Sequence, residues 1–245
     1  MSEGRTAVVT GGSRGIGRAI VERLCRDGAQ VVFTYAANEG AAMDVVRAVR
    51  ADGGEAHALR AEFLDPAEPE QVMEVARARL GGLDILVNNA ALPHDPAPLA
   101  ETGTDLFDQV MTVNARSVFL TVRYAARWMR DGGRIVNIST LNTVRPTAGI
   151  GAYAASKGAV EQLTVIAARE LGPRGITVNT VSPGATDTEQ LRSVNSSEAL
   201  EAVAGLTPLG RLGQPADVAD VVAFLVGQDG RWITGQNLRA AGGLV

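Results

Sequence analysis

The chain has one cysteine, Cys25, in 245 residues, and two histidines, His57 and His94. A single thiol cannot close an intramolecular disulfide, and no Cys/His cluster offers the four ligands of a structural zinc site. Disulfide-stapled and zinc-built folds are therefore excluded, no metal is expected, and the thiol content fits a reducing cytoplasm. Positive charge is not in excess: the formal net charge is -4. With no broad positive field to hold a polyphosphate chain, nucleic acid is not an expected partner. No apolar run reaches membrane-spanning length, and the N-terminal MSEGRTAVVTGG enters an apolar strand without the charged and hydrophobic regions of a signal peptide. The protein is read as soluble and unprocessed, with no membrane partner. Internal repeats, low-complexity tracts and Pro/Ser linkers are also lacking, which favours one domain over residues 1–245.

What is present is apolar content, 46% of residues, and glycine, 28 residues without a collagen-like period. The first is ample for a sizeable core, and the second suggests tight turns and places where backbone approaches a ligand. Short apolar runs alternate with longer amphipathic stretches, the pattern of an α/β fold with a parallel sheet and crossover helices on both faces. Strands are expected at Thr6–Thr10, Gln30–Thr34, Glu55–Arg60, Ile85–Asn88, Arg134–Ile138, Thr177–Val181 and Asn237–Ala240. Helices are expected at Ile16–Asp27, Glu39–Asp52, Pro69–Leu80, Thr104–Arg130, Ala152–Leu171 and Pro215–Val226. Asp27-Gly28, Asp52-Gly53-Gly54, Asp131-Gly132-Gly133 and Gly172-Pro173 each offer a helix stop. The one long strandless stretch, Pro183 to Gly213, contains a polar, weakly helical segment from Thr188 to Gly205 and reads as a lid or binding loop over about 187–213.

Directly after the first strand comes Thr10-Gly11-Gly12-Ser13-Arg14-Gly15-Ile16-Gly17, which opens the first helix. Small residues there let backbone N–H groups face a pyrophosphate, and the helix N-terminus adds a favourable dipole. Gly11, Ser13, Arg14, Gly15, Ile16 and Gly17 are thus candidate dinucleotide-binding residues. An NAD-specific site places a carboxylate at the end of the second strand to bind the ribose 2′-hydroxyl, whereas this chain reads Thr34-Tyr35-Ala36-Ala37-Asn38 before Glu39. A 2′-phosphate meets little repulsion there and Arg14 is placed to pair with it, so NADPH is favoured over NADH as cofactor.

Tyr153 and Lys157 stand four residues apart at the start of the fifth expected helix, on one face. An ammonium near a phenol favours phenolate, so the pair is expected to lower the tyrosine pKa and to pass a proton to or from a carbonyl oxygen. At this point the ordered motifs become specific. Beyond the glycine loop, Tyr153 and Lys157, they include Asn88-Asn89-Ala90-Ala91, Asn114 and Asn137-Ile138-Ser139-Thr140. The series continues with Pro183-Gly184-Ala185-Thr186-Asp187-Thr188, Pro208 to Pro215 and Ile233-Thr234-Gly235-Gln236. Over nearly its full length the chain resembles the short-chain dehydrogenase/reductases of the Tyr-x-x-x-Lys type, and most closely their 3-oxoacyl-acyl-carrier-protein reductase-like members.

The resemblance implies a doubly wound Rossmann-type domain whose seven-stranded sheet has the order 3-2-1-4-5-6-7, the last strand being placed by the resemblance alone. It implies that Tyr153 is the general acid in reduction, that Lys157 binds the nicotinamide ribose and depresses the phenol pKa, and that Asn114 holds a water relaying protons to Lys157. It implies too that Glu62 and Phe63 contact adenine, that Asn89 and Ala90 line the ribose, and that Pro183, Gly184, Thr186 and Thr188 wrap the nicotinamide carboxamide. Family members are commonly homotetramers packed through the fourth and fifth helices. Glu62 replaces the more usual Asp and Ala91 a common Gly. Thr140 takes the place of the usual Ser thirteen residues before the tyrosine. Ser139, one residue off in the strand, is expected to aim away from the pocket, so the substrate-contacting hydroxyl is assigned to Thr140.

His57 is read as structural, and His94 as a residue that could border the substrate pocket. The expected reaction is reduction of a small-molecule ketone, with a β-keto thioester as leading class. One alternative is a cofactor-binding family member that has lost turnover through Thr140, against which Tyr153, Lys157 and Asn114 argue. The other is NAD-dependent alcohol oxidation, disfavoured by the missing carboxylate after the second strand.

Overall fold

The computed structural model describes residues 4–244. β1 (Thr6–Val9), β4 (Ile85–Asn88), β5 (Arg134–Ile138) and β6 (Thr177–Pro183) have no exposed residue, as near-continuous apolar runs require when a parallel strand is covered on both faces. β2 (Gln30–Tyr35) is exposed only at its first residue, and the more exposed β3 (Glu55–Arg60) and β7 (Asn237–Ala240) form the edges. All seven strands pair in parallel, in the order β3-β2-β1-β4-β5-β6-β7.

Alternation along each strand divides the core in two. Val9, Val31, Phe33, Val87 and Val136 face α1 (Gly15–Arg26), α2 (Glu39–Ala51) and α9 (Pro215–Val226), where Leu24, Val45 and Val222 are buried. Val8, Val32, Leu86, Ile135 and Val178 face the other way, against α3 (Glu68–Leu80), α5 (Ser117–Trp128) and α6 (Gly151–Leu171) through Met73, Ala125 and Leu171. The chain winds outward from β1 to β3 and then returns to place β4 on the other side of β1. The crevice at that reversal, above the carboxyl ends of β1 and β4, is where open parallel sheets bind ligands.

Two expectations are corrected. The single helix expected over Thr104–Arg130 is α4 (Thr104–Met111) and α5 joined by a π-helical turn, Thr112–Arg116. The wider turn coincides with Ser117 Oγ donating to Val113 O at 2.5 Å and with the Asn114 side chain being drawn to another segment, neither of which leaves a mark on hydrophobic periodicity. α6 ends at Leu171, where Gly172-Pro173 was expected to stop it; Gly172 itself is not left-handed, with φ -52°, a 3-10 turn follows, and Gly175 takes the left-handed position at φ 66°. The lid segment holds two helices, α7 (Glu189–Ser193) and α8 (Ser197–Leu206), started by Thr188 Oγ1 accepting from Leu191 N at 3.2 Å and Ser196 Oγ accepting from Ala199 N at 3.3 Å. Among the described residues no helix is long and apolar enough to cross a membrane, and no cluster of His, Cys, Asp and Glu could hold a metal ion.

Candidate active site

A cavity of about 790 Å³ lies along the carboxyl ends of β1, β4, β5 and β6, within the range of cofactor and ligand pockets. One end is the glycine loop. Gly11 N donates to Thr34 Oγ1 at 2.9 Å and Gly12 N to Thr34 O at 2.8 Å, which hangs the loop on the end of β2. Gly11 turns in the left-handed region at φ 68°. Gly17 packs so closely under the loop that a Cβ there would run into Gly11 O and Asn89 Nδ2. Asn89 Nδ2 donates to Thr10 O at 3.1 Å and Gly11 O at 2.9 Å, while Thr10 Oγ1 accepts from the N–H groups of Asn89 and Ala90, each at 3.0 Å. The Asn89 side chain is thus a brace between the loops after β1 and β4, although Asn89 and Ala90 both line the cleft.

The start of α1 is open to an anion. No side chain caps it and its first turn has no acidic residue, so first-turn N–H groups and the positive end of the dipole remain available. Arg14 is exposed at this point and lines both the main cleft and an adjoining cavity of about 590 Å³ with Arg18, Ala36, Ala37 and Asn38. The carboxylates around that second cavity largely have partners of their own: Glu22 with Arg18, Asp44 with Arg47 and Asp187 with Arg192. The donor set therefore fits a phosphorylated dinucleotide. Ser13, Gly15, Ile16, Glu62 and Phe63 also line the cleft.

At the other end, α6 projects Tyr153 and Lys157 from consecutive turns. Lys157, the chain's only lysine, is 2% exposed, donates from Nζ to Ile138 O at 2.8 Å and lies 5.8 Å from the centroid of the Tyr153 ring. Burial disfavours its charged form and brings its pKa down to about 8. Burial likewise pushes the Tyr153 phenol up, and the Thr140 hydroxyl draws it partly back. This corrects the expectation that the ammonium lowers the phenol pKa: desolvation dominates for both groups, and the phenol favours its protonated form. Thr140, two residues past β5, is in extended backbone at φ -157°, ψ 150°; both it and Ser139 line the cleft, but the Ser139 hydroxyl is turned to Glu161.

Asn114 is fully buried and is not part of the cleft wall. Its Oδ1 accepts from Leu92 N at 2.6 Å, and its Nδ2 donates to Leu92 O at 3.2 Å and to Ser156 Oγ at 3.1 Å. Both amide hydrogens are committed, so the side chain ties the loop after β4 to the helix of Tyr153. Pro183, Gly184, Thr186 and Thr188 all line the cleft beyond β6. Thr188 packs beside Gly15, where a Cβ would come within 3.3 Å of its Cγ2, so the root of the lid touches the glycine loop.

His57 pairs with Glu55 at 2.9 Å on edge strand β3, away from the cleft. His94 does not join the cleft wall either; its Nδ1 lies 2.8 Å from the neighbouring Asp95 O. From the polar segment Thr188–Gly205 and the residue after it, Leu191, Val194, Val203 and Leu206 line the cleft together with Glu189 and Gln190, and Arg192, Asn195 and Ser197 do not. Leucines and valines three residues apart, Leu191 with Val194 and Val203 with Leu206, were the available signal. Asn142 and Arg145, which line the cleft from the loop after β5, were not singled out by any motif.

Residues 11–245 match the family model described as Enoyl-(Acyl carrier protein) reductase. A short-chain dehydrogenase/reductase from Serratia marcescens superposes with TM-score 0.94 at 43% identity, covering 99% of this chain and 98% of that one. A short chain dehydrogenase from Burkholderia cenocepacia in complex with NADP superposes with TM-score 0.93 at 42% identity and the same coverage of both chains. The 3-oxoacyl-[acyl-carrier-protein] reductase of Vibrio cholerae is 36% identical over 244 residues, 99% of this chain and 98% of its own length.

Proposed function

The chain belongs to the short-chain dehydrogenase/reductase family of oxidoreductases, and on that premise we propose that it reduces a ketone to an alcohol with NADPH, Tyr153 supplying the proton. The observation that carries this reading is the cleft's polarity: an uncapped helix N-terminus beside Arg14 at one end, and a buried phenol kept protonated beside Thr140 at the other. The bound nicotinamide supplies a hydride to the carbonyl carbon. Tyr153 gives its phenolic proton to the carbonyl oxygen as charge builds there, and Thr140 donates a second hydrogen bond to that oxygen. The phenolate left behind is compensated by the Lys157 ammonium and is reprotonated from solvent, and Asn114 keeps the helix of Tyr153 in place for the next turnover. The protonated phenol suits reduction at neutral pH, where Lys157 still carries its charge, and loss of that charge above about pH 8 is expected to slow turnover.

The preference for NADPH rests on Arg14, on the absence of a carboxylate among Thr34, Tyr35 and Ala36, and on the NADP bound in the Burkholderia relative. Arg14→Ser is expected to weaken NADPH binding by about 10-fold or more while leaving NADH binding within about threefold, the effect of losing one charge-assisted contact to the 2′-phosphate. Fluorescence titration measures both; equal losses for the two cofactors would remove Arg14 from this role. For the substrate, the reductase of Vibrio cholerae and the apolar residues that the α7–α8 segment turns into the cleft support a β-keto thioester or a related ketone with a hydrocarbon arm.

The test of the whole reading is NADPH oxidation followed by absorbance against β-keto esters and thioesters and quinones. Wild-type turnover that Tyr153→Phe lowers by roughly 10²–10⁴ in kcat, with NADPH affinity retained, supports the reading. Turnover that survives in the variant removes Tyr153 as the acid.

A further inference from the structure

Glu161 stands on α6 one turn beyond Lys157, on the same side of the helix as Tyr153 and Lys157. Its Oε1 accepts hydrogen bonds from Ser139 Oγ and Thr143 Oγ1, both at 2.7 Å, and Ser182 Oγ lies at the outer limit of 3.5 Å. Ser182 makes its shorter bond, 2.7 Å, to Asn237 Oδ1. Ser139 precedes Thr140, and Thr143 follows it by three residues. The carboxylate therefore grips the cleft segment on both sides of the residue whose hydroxyl faces the phenol.

Two consecutive turns of α6 hold two consecutive residues at the end of β5. Lys157 Nζ holds the carbonyl of Ile138, and Glu161 holds the hydroxyl of Ser139. Thr140 itself lies just past the last sheet hydrogen bonds, where Ser139 N donates to Val181 O at 2.8 Å, and beyond it only a short 3-10 turn, Leu141–Thr143, orders the backbone. The Thr143 hydroxyl also lies 3.1 Å from Thr140 O, but with one proton and a carboxylate that only accepts, the shorter contact to Glu161 takes it. Thr140 would otherwise be fastened to α6 by little besides its contact with the phenol.

We propose that Glu161 is a positioning residue that sets the gap between Thr140 and Tyr153 by fastening the segment 139–143 to the helix that carries the acid. It does not touch the substrate or the cofactor and transfers no proton. It acts by keeping two hydroxyls that must converge on one carbonyl oxygen at a fixed separation, where a misplacement of about 1 Å costs on the order of 10²-fold in rate. This also accounts for the residue that precedes Thr140: a serine whose hydroxyl is bonded to Glu161 is the anchor by which the threonine is aimed.

The inference rests on the reading of Tyr153 and Thr140 as the groups that meet the carbonyl. It is tested with Glu161→Ala, Ser139→Ala, the double variant and Glu161→Gln, each assayed for kcat, KM and NADPH affinity by fluorescence, and by hydrogen exchange of the free protein. Glu161→Ala is expected to lower kcat by about 10- to 100-fold with NADPH affinity within about threefold. The double variant is expected to be no worse than the weaker single variant, because both substitutions remove the same tie. Glu161→Gln, whose amide oxygen still accepts, recovers most of the loss. Amides of 139–144 exchange faster in Glu161→Ala, while those of 152–160 do not. If Glu161→Ala does not fold, Ser139→Ala combined with Thr143→Val leaves the carboxylate in place and carries the same expectations.

Wild-type kcat in a folded Glu161→Ala, unchanged exchange of 139–144, or additive losses in the double variant would each overturn the proposal. A wild-type protein without carbonyl reduction would instead defeat the reading of the site, while the exchange measurement would still report on the tie.

Discussion

Lys157→Met is expected to make the free protein more stable at neutral pH and to lower carbonyl reduction by roughly 10²–10⁴ in kcat. The lysine is buried with one hydrogen bond, to Ile138 O, and its pKa is brought from an ordinary 10.5 down to about 8. Below pH 8 both folded and unfolded chains carry the charge, and the fold bears the full penalty of burying it. Between pH 8 and 10.5 the unfolded chain still holds a proton that the folded chain has released, so stability rises with pH across that window. Above it the penalty is gone. A shift of this size corresponds to roughly 3 kcal/mol. Methionine removes the penalty but leaves the Ile138 carbonyl without its donor, which returns about 1 kcal/mol. The net gain of about 2 kcal/mol at pH 7 should raise Tm by roughly 4–8 °C.

Thermal melts of both proteins from pH 6 to 10 check the prediction: the wild-type curve should rise above pH 8 relative to that of the variant. Because the chain has no other lysine, a single Nζ resonance in ¹⁵N-lysine-labelled protein reports the group directly, with a midpoint near pH 8. A midpoint close to 10.5, or a variant that melts lower at pH 7, would mean that burial does not set the charge of this residue. The combination of a stabilising substitution with lost turnover is what a site that stores an unfavourable charge for catalysis should show.

Gly17→Ala should abolish NADPH binding, raising Kd by more than about 100-fold, and should destabilise the chain by about 1–3 kcal/mol. The added Cβ would strike the carbonyl oxygen of Gly11 and the Asn89 amide. Neither can yield cheaply. Gly11 is pinned through its N–H to Thr34 Oγ1, and Asn89 Nδ2 already gives its two hydrogens to Thr10 O and Gly11 O. Relief would lift the loop off β2 and spoil the row of N–H groups at the start of α1. Gly53→Ala is the control. Gly53 is left-handed at φ 79° with nothing near its missing Cβ, so alanine should cost about 1–2 kcal/mol of backbone strain and leave NADPH binding unchanged. Titration of NADPH fluorescence with both variants separates the two cases; a Gly17→Ala protein that binds NADPH normally would mean that the loop adjusts.

The glycine loop, the strand-helix alternation and the pairing of Tyr153 with Lys157 were legible in the sequence because each is written within a few consecutive residues. Strand limits such as Glu55–Arg60 and Arg134–Ile138 coincide with the structure for the same reason: apolar runs bounded by glycine and charge are a local signal. That Thr140 reaches the cleft was legible too, although Ser139 lines it as well and only its hydroxyl turns to Glu161. The end of α6 at Leu171 before Gly172-Pro173 was legible, but the 3-10 turn that follows and the left-handed Gly175 that closes it were not.

The sequence by itself determined the order of elements, the glycine loop that opens α1 and the placing of Tyr153 and Lys157 on one helix face, because backbone dihedrals, side-chain periodicity and helical spacing act over short stretches of chain. Only the tertiary structure decided the direction in which burial moves the pKa values of Tyr153 and Lys157, the occupation of Asn114 by Leu92 and Ser156, the residues that the α7–α8 segment turns into the cleft, and the meeting of Ser139, Thr143 and Glu161. Those properties depend on how much water is removed from a group and on which distant partner is brought against it, and desolvation and long-range contact do not exist until the sheet and its two layers of helices have closed together.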